Sequence, residues 1–198
     1  LLGMTLAQSG DYDAAEEMFR DAATHDSALR SDILAARLGG VFNRVVAGGP
    51  DRGIRSAESI LRRYGEPEDR AERILLTGVL VTLHLQAGTV SDRPGHEARA
   101  VRALLDLGSH LRSQGLDAAM VDAFVAQRIE SLPIGRGGQD HLPAEAALIL
   151  LARSEDAAGI RELLTRSDLS SRTRVRALML ECDRLEAAGE MRAAADVA

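Results

Sequence analysis

With 198 residues and a mass of 21.2 kDa, the chain can bury a sizeable core as one domain or one repeat array. Its 45% apolar and 27% charged content exclude a disordered chain, its 3% aromatic content argues against a base-stacking nucleic-acid platform, and its net charge of −6 argues against polyanion binding by bulk charge. One cysteine excludes an internal disulfide and a cysteine zinc site and fits a reducing, cytoplasmic setting, and no apolar run reaches the roughly 18 residues of a membrane span.

All 24 basic residues are arginine, and Asn43 is the single asparagine. Together with heavy use of Ala, Gly and Asp, this is the bias of a GC-rich bacterial genome. The arginines are therefore not in themselves a sign of phosphate binding. The chain opens at Leu1 and closes at Ala198 inside helical patterns, so it is expected to be a piece of a longer protein.

Helical periodicity dominates and alternating β-branched runs are absent. A short apolar helix over Leu1 to Ser9 is broken by Gly10-Asp11-Tyr12. Asp13 is expected to cap a second helix with Ala14, Ala15, Met18, Phe19, Ala22 and Ala23 on its apolar side. Ser31 to Ala47 repeats the pattern, Gly48 suits its C-terminal cap, and a turn through Gly48 to Gly53 leads into a helix ending near Tyr64. Gly65-Glu66-Pro67 precedes a strongly apolar helix from about Asp69 to Ala87, ending at Gly88. Helices follow over His96 to Gln114 and Leu116 to Leu132. Residues 133–143 form the one long irregular loop. Helices resume over Ala144 to Arg153, Asp156 to Arg166, Ser171 to Ala188 and Glu190 to Ala198.

The first hairpin carries Leu2-Gly3, Leu6, Gly10-Asp11-Tyr12, Ala15, Phe19 and Ala22. Small residues at such positions let two helices approach, and larger ones fill the gap between them. In this it resembles the tetratricopeptide repeat. A second hairpin keeps Leu38-Gly39, Phe42, Ala57, Leu61 and Tyr64, 36 residues after the first, and Leu185, Gly189 and Ala194 echo the pattern weakly. The repeats are clearest over 1–26 and 31–65. The resemblance implies one all-α domain over 1–198, an α-hairpin repeat array of about nine to ten helices with a right-handed superhelical drift. Phe19, Leu38, Phe42 and Leu61 are expected between helices.

No catalytic constellation emerges. Gly135-Arg136-Gly137-Gly138 lacks the Lys-Ser or Lys-Thr of a phosphate loop, and no Gly-x-Ser-x-Gly elbow occurs. The five histidines (His25, His84, His96, His110 and His141) show no metal-ligand spacing, and Cys182 reads as a packed thiol. Arg62-Arg63 and Arg70-Arg73 have acidic neighbours and read as a solvated mixed face. The chain is therefore expected to be non-catalytic, without cofactor or metal.

What remains is interaction. The resemblance implies a concave face lined by the first helix of each repeat, binding a protein or peptide partner. Carried onto this chain, it places Arg37, Asn43 and Arg44 on that face, Gln8 at the equivalent of Arg44, and His84 and Gln86 in the third repeat. An amide that both donates and accepts, beside guanidinium forks, suits an acidic peptide or a carboxylate terminus. The unshielded end helices suit self-association. The alternative is a ligand-sensing or self-associating segment of a larger transcriptional regulator from a bacterium of actinobacterial type. Membrane and nucleic-acid partners are not expected.

Overall fold

The computed structural model describes residues 2–25, 28–66, 69–90, 95–133 and 142–189. Ten α-helices and no strand occur among the described residues, so the class is all-α and the helix number is that expected. The expected last helix over 190–198, His141 and most of the 133–143 loop lie outside the described residues. The chain packs as two compact units, Leu1–Gly115 and Leu116–Ala198.

The first unit contains α1 (Leu2–Gln8), α2 (Tyr12–Thr24), α3 (Arg30–Gly48), α4 (Pro50–Leu61), α5 (Arg70–Val90) and α6 (His96–Ser113), each packed against the next. The cap of α2 is Asp11 rather than Asp13: the Ala14 backbone N–H donates to its Oδ1 at 3.2 Å. Gly10, at φ 86°, turns the chain where expected, but the cap lies two residues earlier than expected, so Asp13 falls in the first helical turn, where its charge favours the N-terminus. The α3–α4 connection is likewise tighter than expected. Gly49, not Gly48, takes a positive φ (82°, with ψ 172°), its N–H bonds Val45 O at 2.7 Å, and Pro50 opens α4 at once.

Close approach is bought by missing side chains. The Phe19 ring of α2 lies against Gly3 of α1 and Gly39 of α3, and a Cβ on Gly39 would fall well inside its contact radius. Gly53 of α4 takes the Val45 side chain in the same way. Beyond this seam, Val41, Ile54, Ala57, Leu80, Leu83 and Ala87 form the core of α3, α4 and α5, with Leu61 packed on its edge. Phe19 and Leu38 are half-buried. Phe42 is 52% exposed, contrary to expectation. Its neighbours Val41 and Asn43 take the two inward directions on α3, and each residue is turned by about 100° from the last.

The second unit contains α7 (Ala118–Glu130), α8 (Ala144–Arg153), α9 (Ala157–Leu164) and α10 (Ser171–Ala187). Asp117, Asp156 and Ser170 accept from the backbone of Met120, Gly159 and Thr173, starting α7, α9 and α10. Helix α8 is the hub, packing on α7, α9 and α10 through Ala147, Leu148 and Leu151. Glu181 is 3% exposed yet charged: Arg184 donates to both its oxygens at 2.9 and 3.0 Å, which holds the carboxyl below its ordinary range, and Arg161 approaches at 3.4 Å.

Two glycines test the seam. Gly78 in α5 has nothing near its Cβ position, so Gly78→Ala is expected to stabilise by about 0.5–1 kcal/mol through helix propensity alone. Gly39→Ala has the same propensity gain but meets Phe19, and is expected to destabilise by about 1–2 kcal/mol. Urea unfolding of the two variants shows opposite shifts in midpoint if the seam is tight.

Candidate functional site

Helices α2 and α4 stand on either side of α3 and leave a cleft above it. Two adjoining cavities of about 420 and 290 Å³ fill this cleft, and Glu16, Arg20, Arg44, Ser56 and Ser59 line both. Arg44 forms the floor. Its Nη1 donates to Ser56 Oγ on α4 at 2.7 Å and its Nη2 to Glu16 Oε1 on α2, so one guanidinium spans three helices. Arg37, two turns earlier on the same face of α3, donates to the Tyr64 hydroxyl at 2.9 Å with its guanidinium carbon 5.6 Å from the ring centre.

Asn43 lies in the same cleft but at its base. It is 4% exposed, and its Nδ2 donates to Tyr12 O at 2.8 Å, tying α3 to the start of α2. Its Oδ1 and Glu16 Oε2 are buried acceptors without a partner. Thus Arg37, Asn43 and Arg44 are brought together, although all three already hold structural bonds. Four further arginines, Arg20, Arg52, Arg55 and Arg63, line the cleft and have no ion-pair partner among the described residues. Sequence reasoning missed Arg20, Arg52 and Arg55 and read Arg63 as part of a solvated mixed face, because every one of the chain's 24 Lys/Arg positions is arginine and none stands out by type.

The other expected residues lie elsewhere. Gln8 is exposed at the end of α1 and lines neither of these cavities. His84 lines a separate cavity of about 580 Å³ over α5, between α4 and α6. Gln86 is exposed and does not line it, since two residues apart on a helix means about 200° of rotation.

His84 is 2% exposed and His96 4%, with their Nδ1 atoms 3.3 Å apart across the α5–α6 contact. One ring must donate and the other accept, so the pair is stable only while at least one ring is neutral. Burial, then the neighbouring His96 and Arg99, pushes His84 down to about 4, with Asp51 opposing. Among the described residues no group of His, Cys, Asp and Glu could hold a metal ion, and no helix is long and apolar enough to cross a membrane.

Comparisons with protein-family models, with curated proteins and with solved structures return no match.

The histidine pair sets a pH dependence. His84 takes up its proton near 6.5 when unfolded and near 4 when folded, so the unfolded chain binds more protons between these values. Stability is therefore full above pH 6.5 and falls towards pH 4, by up to about 3 kcal/mol. Urea unfolding of wild type at pH 7.5, 5.5 and 4.5 is expected to show this loss, and His84→Gln is expected to flatten it.

Proposed function

We propose that this protein is a non-catalytic interaction module of the tetratricopeptide kind, and that an acidic peptide segment of its partner docks in the cleft between α2 and α4. The observation that carries this reading is the imbalance of charge in the cleft. Arg20, Arg52, Arg55 and Arg63 have no ion-pair partner among the described residues, and only Asp13 and Glu16 stand against them on the walls. In a chain of net charge −6, such a local concentration of cations favours an anionic ligand.

A peptide suits the cleft better than a nucleic acid. Tyr64 is covered by Arg37 and offers no free face for base stacking. Arginine forks would hold side-chain carboxylates, and Ser56 and Ser59 would add neutral hydrogen bonds.

Fluorescence anisotropy with labelled hexaglutamate tests the reading. Arg52 and Arg55 are exposed and make no ion pair among the described residues, so Arg52→Glu/Arg55→Glu is expected to keep the helical circular dichroism of wild type. Its affinity is expected to fall at least about tenfold, or 1.4 kcal/mol. Unchanged affinity in the folded variant rules out this cleft. Asn43→Ala is the wrong probe, because stripping the partner from Tyr12 O costs about 1–3 kcal/mol of stability.

A further inference from the structure

The cleft over α5 is assembled from the same positions as the cleft over α3, one hairpin later. On the near wall, Glu16, Phe19 and Arg20 of α2 recur as Glu58, Leu61 and Arg62 of α4, 42 residues on. On the floor, Arg37, Gly40 and Arg44 of α3 recur as Thr77, Leu80 and His84 of α5, 40 residues on. On the far wall, Ser56 and Ser59 of α4 recur as Arg99 and Arg102 of α6, 43 residues on. Every one of these residues lines its own cavity.

The cationic groups are distributed differently in the two copies. In the first cleft Arg37 and Arg44 sit on the floor, and Arg52, Arg55 and Arg63 accompany Ser56 and Ser59 on the far wall. In the second the floor holds Arg73, Thr77 and His84, and Arg99 and Arg102 stand where the two serines were. Arg62, Arg99 and Arg102 have no ion-pair partner among the described residues. Thr77 is 96% buried, lines the cavity and makes no side-chain hydrogen bond among the described residues. Asp106, where the first cleft has Arg63, and Glu58 are the opposing charges.

The two clefts share a wall. Helix α4 and the two residues after it turn Ser56, Ser59 and Arg63 to the first and Glu58, Leu61 and Arg62 to the second. Tyr64 lines the second and is held by Arg37, which lines the first. A helix is about 10 Å across, a distance that about three residues of extended chain span.

We infer that the cleft of α4, α5 and α6 is a second, repeat-related docking position for the same acidic segment, so that one partner strand with two anionic stretches occupies both clefts at once. This rests on the reading that the first cleft takes an acidic peptide. The two positions bind as a linked pair, and the gain over one position comes from effective concentration rather than from a new kind of contact.

The experiment compares labelled hexaglutamate with labelled dodecaglutamate on the full chain by fluorescence anisotropy. Wild type is expected to bind the longer peptide at least about tenfold more tightly. Arg99→Glu/Arg102→Glu, at two exposed positions, is expected to reduce the longer peptide to the affinity of the shorter while changing the shorter by less than about threefold. Arg62→Gln/Arg102→Gln repeats the test without reversing charge. Arg128→Glu/Arg176→Glu makes the same change of net charge in the second unit and is expected to keep the length gain. A length gain that survives in both second-cleft variants, or that disappears equally in the control, overturns the inference and leaves the first cleft standing. Failure of wild type to bind hexaglutamate overturns the first reading itself. A twelve-nucleotide thymidine strand that displaces dodecaglutamate at lower concentration overturns both in favour of a nucleic acid.

Discussion

The first unit depends on how near α2 can come to α1 and α3. Phe19 fills the space that Gly3 and Gly39 leave, and a single methyl at either glycine would meet the ring. Dispersion forces are short-ranged, so this contact is worth having only at full contact distance. Once α2 is held there, its Glu16 comes within reach of Arg44, and Tyr12 O within reach of Asn43. The cleft thus depends on this apolar seam, and Phe19 itself forms part of its lining.

The all-α class and the hairpin order were legible because helical period, glycine spacing and the absence of alternating strands all agree. What the sequence could not convey is which side of a helix becomes which surface. Phe42 matches an inward position of the repeat pattern, yet Val41 and Asn43 occupy the inward directions and leave it exposed. Asn43 has the chemistry of a ligand-binding amide, but its Nδ2 is already committed to Tyr12 O. Turn lengths were misjudged for a similar reason. Gly48 and Gly49 look alike in sequence, and only the bond from Gly49 N to Val45 O decides which one ends α3.

The site was legible in part. Arg37 and Arg44 were selected by repeat position and do share a cleft, whereas Gln8 and Gln86 were selected by the same rule and do not. The rule fails in α1, where Gln8 lines neither cleft, and fails again where 84 and 86 point to opposite sides of α5. The recurring Glu-x-x-x-Arg of α2 and α4, Glu16 with Arg20 and Glu58 with Arg62, was visible as a spacing. Its meaning needed the cavities, because charged pairs at i, i+4 are ordinary on helices.

The cationic lining of both clefts consists of guanidinium groups, since the chain has no lysine. A guanidinium stays charged throughout the biological pH range and has no acetylation chemistry of the lysine kind. The field of these clefts is therefore fixed by the chain and cannot be tuned by proton uptake at the arginines. What does change it is dissolved salt. The screening length shrinks from about 10 Å at 0.1 M to about 3 Å at 1 M, less than the width of the helix that separates one cleft from the next. At low ionic strength an anion at one cleft feels the arginines of both, and at high ionic strength each cleft acts alone.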